Sequence, residues 1–124
     1  MLGEKLVKHG SRVWLINTGW TGGPYGTGSR INIADTRALV HAALNGELDG
    51  LPTYRDENFG LDVPQHVPGV SDSILHPRDT WQDPAAYDVQ ARRLASMFEE
   101  NFRRNFASTV DSRVSAAGPH YGGR

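Results

Sequence analysis

A short apolar run that ends in a glycine-dense loop constrains this chain more than any other feature. Residues 12–37 read RVWLINTGWTGGPYGTGSRINIADTR. Val13, Trp14, Leu15 and Ile16 follow one another without a polar interruption. Such a run suits a strand buried on both faces, inside a sheet with neighbours on either side. Elsewhere the sequence offers only short, edge-like strands. They are residues 31–33 (INI), residues 53–55 (TYR) and residues 59–63 (FGLDV), the last confined to an edge or an end by Pro64. A sandwiched strand without flanking strands leaves backbone N–H and C=O groups unpaired. The expectation is an α/β chain with an incomplete sheet and packed helices, a piece of a larger domain. Composition agrees: 38% hydrophobic residues, with 14 glycines and 7 prolines among 124, is lean in core material and rich in turns.

Three helical segments are legible. Residues 1–9 place Leu2, Leu6 and Val7 on one face, with Gly10 where a left-handed C-cap belongs. No capping residue precedes Met1, so the chain is expected to enter partway through an element. A second helix runs from about Asp35 to Asn45, with Leu39, Val40, Ala43 and Leu44 as its stripe and Gly46 as its stop. Val67-Pro68-Gly69-Val70 reads as a turn, and Ile74-Leu75 as a small apolar anchor before Pro77. The third helix spans residues 84–106. Asp83 caps it, Pro84 takes its first position, and Tyr87, Ala91, Leu94, Ala95, Phe98, Phe102 and Phe106 form a core-facing stripe. Trp14 and Trp20 read as core residues, and Trp81 as cover for the start of this helix. Residues 1–107 are thus expected as the folded segment. Residues 108–124, rich in Gly, Ser and Ala, are expected as a flexible tail.

Charge and composition exclude several classes. A net charge of −1 with 22% charged residues gives no basic surface for nucleic acid or an acidic membrane. The absence of cysteine removes disulfides and thiolate metal sites and suits an intracellular protein. No apolar run approaches the roughly 20 residues of a membrane span, and the N-terminus lacks the apolar core of a signal peptide. His9, His41, His66, His76 and His120 show no ligand spacing, so no metal site is expected on this chain, and His41 reads as a helix-surface residue.

The loop itself nearly matches a phosphate cradle. Gly23 to Arg30 reads GPYGTGSR, but Ser29 stands where the pattern G-x-x-x-x-G-K-[ST] needs its lysine. Pro24 has no N–H to offer, and the Tyr25 side chain is bulky. The open readings are a mobile surface loop and a loop that closes over a ligand whose phosphates are held elsewhere. Arg30 follows, able to stack on an aromatic base or to remain a solvated charge. Ile31 offers apolar contact and a backbone group for a base edge. Thr36 sits at a helix start, where its hydroxyl serves either a ligand or the helix N–H groups.

Asn17-Thr18-Gly19-Trp20, then Gly22-Gly23-Pro24-Tyr25-Gly26-x-Gly28, then Arg30-Ile31-x-Ile33-x-Asp35-Thr36-Arg37 together resemble the C-terminal part of ATP-dependent phosphoenolpyruvate carboxykinase. The resemblance continues through Phe59-Gly60-Leu61 with Val63-Pro64, Pro68-Gly69-Val70, Ile74-Leu75-x-Pro77-Arg78-x-Thr80-Trp81 and the last helix. It implies a partial C-terminal mononucleotide-binding domain of that family's fold. It also implies a cytoplasmic enzyme of gluconeogenesis that converts oxaloacetate and ATP to phosphoenolpyruvate, ADP and CO2, with Mg²⁺ and Mn²⁺. Arg30, Ile31 and Thr36 would contact the nucleotide, and Gly22, Gly23, Tyr25, Gly26 and Gly28 would form a hinge or cover beside it. Where the family commonly has lysine before the arginine, this chain has Ser29. The family's phosphate loop, metal ligands and oxaloacetate-gripping arginines have no counterpart in these residues, so no catalytic residue is expected here. The isolated chain is expected to be inactive, with oxaloacetate met only through an N-terminal part. The alternatives are a stand-alone adenine-nucleotide-binding module and a truncated remnant without function.

Overall fold

The computed structural model describes residues 2–119; Met1 and residues 120–124, with His120 and the end of the expected tail, lie outside them. The described elements run α1 (Leu2–His9), β1 (Trp20–Thr21), β2 (Ser29–Arg30), α2 (Ile33–Leu44), β3 (Thr53–Arg55), β4 (Asp62–Pro64), α3 (Asp72–Leu75), a 3-10 turn (Pro77–Thr80), α4 (Pro84–Asn105) and α5 (Ser112–Ala117). The chain is α/β, with its strands in two separate antiparallel pairs, β1 with β2 and β3 with β4.

Local chemistry sets the helix limits. Gly10 (φ 60°) closes α1, its N–H donating to the Leu6 carbonyl at 2.9 Å. Gly46 (φ 73°) follows the end of α2. At the start of α4 the Asp83 carboxylate accepts from the Ala85 N–H at 2.9 Å, and Pro84 lacks the N–H that this first turn would orphan. The turn at 67–70 carries Pro68 and then Gly69 (φ 76°), with the Val70 N–H donating to Val67 O at 3.1 Å. That turn delivers both valines to the core, which comprises Ala42, Leu48, Val67, Val70 and Leu75. Trp14, Leu39 and Ile74 pack around it.

The β3–β4 hairpin pairs Thr53 with Pro64, Tyr54 with Val63 and Arg55 with Asp62. Tyr54 docks this hairpin by donating its hydroxyl proton to Leu75 O at 2.6 Å. Phe59 lies outside β4, contrary to the strand expected over 59–63. The Asp56 carboxylate accepts from the N–H groups of Asn58 (3.0 Å) and Phe59 (2.7 Å), folding that stretch into a turn.

Other expectations are also corrected. Residues 12–16 form no strand: among the described residues they make no backbone hydrogen bond. They also alternate. Trp14 and Ile16 are partly buried, while Val13 is exposed and Leu15 is 80% exposed. One face therefore packs on the core, while the other face and the backbone edges have no partner among the described residues. Residues 31–33 are not a strand either, because Asn32 caps α2 and Ile33 is already helical. The α4 stripe is buried only at Ala91 and Ala95; Phe98 and Phe106 are exposed, although Phe98 meets Phe59 edge-on at 6.4 Å. Beyond residue 107 the chain is not wholly irregular, since Asp111 caps α5 by accepting from the Arg113 N–H at 2.8 Å. Among the described residues no helix is long and apolar enough to cross a membrane.

Val67 is 0% exposed and Val13 is not part of the core. Val67→Ala should therefore cost about 1–3 kcal/mol in denaturant unfolding. Val13→Ala should stay within about 0.5 kcal/mol of the parent.

Candidate functional site

The glycine loop is a β-hairpin. Trp20 pairs with Arg30 and Thr21 with Ser29. Inside it, the N–H groups of Thr27 and Gly28 both donate to Pro24 O, at 3.0 and 2.9 Å. Gly28 is where the two arms meet. A Cβ there would lie 2.4 Å from Gly23 O and 2.5 Å from Thr21 O, so no larger residue fits. Gly22, Gly23 and Gly26 hold φ values of 77°, 143° and 91°, which side chains rarely adopt. The hairpin is tied to the body by Thr21 Oγ1, 3.1 Å from Thr80 Oγ1, whose own proton goes to Pro77 O. Exposed Tyr25 sets its ring edge-on to Trp20 at 5.2 Å.

These bonds bear on phosphate binding. The two loop N–H groups that a phosphate would need point inward to Pro24 O. The hairpin is a closed turn, not a cradle.

The predicted nucleotide residues lie just after it. Arg30 is exposed and stands opposite Trp20 in the ladder, so the two side chains project from the same face. Ile31 is 7% exposed, and its N–H donates to Gly19 O at 2.9 Å. Its backbone N–H is thus engaged. Thr36 is half-buried on the first full turn of α2, and its N–H makes the first helical bond to Asn32 O at 3.1 Å. Asn32, not Thr36, caps the helix.

An apolar groove of about 400 Å³ runs beside the hairpin, lined by Trp14, Trp20, Ile31, Phe59, Trp81 and Leu94 among others. Of the three predicted nucleotide residues only Ile31 lines it, and of the loop residues only Gly23. Arg30 and Thr36 flank Ile31 in sequence without entering the groove.

Asp35 is a buried charge at the start of α2 that sequence reasoning did not single out. It is 8% exposed, the one buried charged side chain among the described residues. One carboxylate oxygen accepts from Asn32 Nδ2, and the other accepts from the Ser71 N–H at 3.1 Å. The Asn32 side-chain oxygen in turn accepts from the Asp35 N–H at 2.7 Å. The reciprocal pattern resembles a capping box, and the signal was present in the spacing Asn32-x-x-Asp35. A carboxylate in the first turn also suits the positive end of the helix dipole, a place that an anionic ligand would otherwise use.

A second, polar recess of about 530 Å³ lies between β3, the 3-10 turn and α4. Arg78 donates through Nε and one terminal nitrogen to both Asp88 oxygens, at 2.8 and 3.0 Å. The hydrogen bond from Arg78 holds the Asp88 carboxyl below the ordinary carboxylate range and raises Arg78 in return. Burial, helped by the Asp56 carboxylate, raises Tyr54 and Tyr87 above the usual phenol value. Among the described residues no group of three His, Asp or Glu side chains could hold a metal ion.

Residues 1–73 match the family model described as Phosphoenolpyruvate carboxykinase. The chain belongs to the phosphoenolpyruvate carboxykinase family. It is 56% identical over 119 residues to the Phosphoenolpyruvate carboxykinase (ATP) of Thermus thermophilus, covering 96% of this chain and 22% of that protein. It is 56% identical over 120 residues to the same-named protein of Rubrobacter xylanophilus, covering 97% of this chain and 22% of that protein. For that of Cereibacter sphaeroides the identity is 53% over 117 residues, covering 94% and 22%. The chain thus spans about a fifth of the length of the curated relatives it matches.

In this carboxykinase-family chain the hairpin depends on Gly28 more than on its other glycines. Gly28→Ala drives a methyl into two carbonyls and should destabilise the chain by on the order of 2–3 kcal/mol. Gly26→Ala meets open space at a positive φ and should cost about 1 kcal/mol. Urea unfolding of the two variants checks the order.

Proposed function

We propose that this chain is the adenosine-facing C-terminal segment of a cytoplasmic ATP-dependent phosphoenolpyruvate carboxykinase, folded as part of its mononucleotide-binding domain. The whole enzyme would convert oxaloacetate and ATP to phosphoenolpyruvate, ADP and CO2. The observation that carries the reading is the exit of the glycine hairpin. Exposed Arg30 stands opposite Trp20, and buried Ile31 is pinned to Gly19 at the mouth of an apolar groove. A guanidinium beside an indole offers a flat, cationic surface to a base. Ile31 adds apolar contact and a carbonyl. The half-buried hydroxyl of Thr36, without a hydrogen-bond partner among the described residues, adds a polar contact one helical turn on. The hairpin of Gly22, Gly23, Tyr25, Gly26 and Gly28 serves as a cover beside the nucleotide, hinged on its Thr21–Thr80 contact.

These residues suit the adenosine end of ATP and do not suit its phosphates. The Thr27 and Gly28 N–H groups are committed to Pro24, and the N-terminus of α2 already holds the Asp35 carboxylate. No group of three His, Asp or Glu side chains among the described residues could hold Mg²⁺ or Mn²⁺ without further ligands. Phosphoryl transfer is mostly positioning and charge neutralisation by cationic groups and metals. Those parts, and the contacts to oxaloacetate, would belong to the polypeptide that the relatives have beyond this span.

Titration of the 124-residue chain with ATP, followed by amide NMR, tests this. The expected result is weak, saturable shifts at Arg30, Ile31 and Thr36, with half-saturation raised about fivefold by Arg30→Ala. The chain alone, given oxaloacetate, ATP and both metals, should form no phosphoenolpyruvate. Turnover by the chain, or an ATP response that ignores Arg30→Ala, would overturn the proposal.

A further inference from the structure

The proposed adenosine contacts are carried by Arg30 and Ile31, whose backbone is held by few hydrogen bonds. The β1–β2 ladder is two residues long, Arg30 is exposed, and Ile31 has one backbone bond to Gly19. Two positions on, the chain reaches the most constrained polar cluster among the described residues. Asn32 and Asp35 exchange two hydrogen bonds, backbone N–H to side-chain oxygen and side-chain amide to carboxylate. The remaining Asp35 oxygen takes the Ser71 N–H at 3.1 Å, across 36 residues of sequence. Ser71 follows Val70, which is part of the core, and occupies the residue position just before α3. Asp35 thereby fastens the entrance of α2 to the core turn.

We propose that Asp35 is a positioning residue for nucleotide recognition. By locking Asn32 against the 67–71 turn, it fixes the backbone from which Arg30 and Ile31 meet the base. Charge is incidental to this role, and donor–acceptor matching is the essential part. A carboxylate accepts from two donors that face it. An asparagine at 35 keeps the Ser71 bond but turns its own amide hydrogens on the Asn32 amide, so the Asn32 link is lost. Exchanging the two residues, with aspartate at 32 and asparagine at 35, restores all three bonds, with donor and acceptor reversed only in the side-chain pair. Aspartate is also a good N-cap.

This inference rests on the reading of Arg30 and Ile31 as adenosine contacts, and the experiment separates the two. ATP is titrated by NMR into the parent chain, Arg30→Ala, Asp35→Asn, the double variant Asn32→Asp with Asp35→Asn, and Ala95→Gly. Ala95 lies in α4 and lines neither the groove nor the hairpin, so this variant controls for general loss of stability. Exchange of the Ile31 amide is followed without ligand. Asp35→Asn should raise ATP half-saturation about tenfold and speed Ile31 exchange by a similar factor. The double variant should recover both to within about twofold, and Ala95→Gly should leave half-saturation unchanged. If Asp35→Asn binds as the parent does, or the double variant is not rescued, or Ala95→Gly weakens ATP equally, the positioning role is wrong while the Arg30 reading stands. If the parent shows no saturable response, or Arg30→Ala binds as the parent does, the nucleotide reading is wrong and the role falls with it.

Discussion

A β-segment can bury its side chains on a core, but its backbone is satisfied only by another strand or by water. Residues 12–16 of this chain stand at that limit. Trp14 reaches the cluster around Val67 and Leu75, and Leu15 turns outward. Neither backbone edge has a partner among the described residues. The same condition recurs elsewhere. The α4 stripe is covered at Ala91 and Ala95 but open at Phe98 and Phe106, and the aromatic-lined groove reaches down to the core residues Leu48, Val67 and Leu75. These features belong to a fold whose packing surfaces outnumber the elements that cover them. The match to about a fifth of each curated relative agrees with that picture.

Against this open side, the region after the glycine hairpin is closely specified. Gly28 allows the arms to touch, Thr21 meets Thr80, Ile31 is pinned to Gly19, and Asn32 and Asp35 lock the start of α2 to Ser71. Each contact is local or crosses to the core turn or the 3-10 turn, and none uses the backbone of residues 12–16. Arg30, Ile31 and Thr36 can therefore keep their geometry while residues 12–16 before them lack ladder partners. The energetic logic is that of a well-specified edge on an incompletely covered body.

Much of this was legible in particular residues. Asp83-Pro84 announced α4, Gly10 and Gly46 marked two helix ends, and Pro68-Gly69 required a turn. Each is a case in which one backbone angle or one orphan N–H decides the outcome. What failed depended on competition between readings. Residues 31–33 alternate like a strand, yet Asn32 is three residues from Asp35, and reciprocal capping won. Phe59 to Val63 looked extended, but the Asp56 carboxylate folded its first half. The role of Asp35 was hidden because its second partner, Ser71, is 36 residues away and no local pattern reports it. The apolar run at 13–16 read as a strand buried on both faces, but its side chains alternate between core and solvent and it joins no ladder.

Hydrogen exchange at the amides of residues 13–16 in the 124-residue chain tests this account most directly. Backbone groups without ladder partners should exchange within about tenfold of an unstructured peptide, while amides around Ala91 and Ala95 in α4 exchange far more slowly. Protection at residues 13–16 equal to that of α4 would mean that this edge finds a partner within the chain, and would contradict the account.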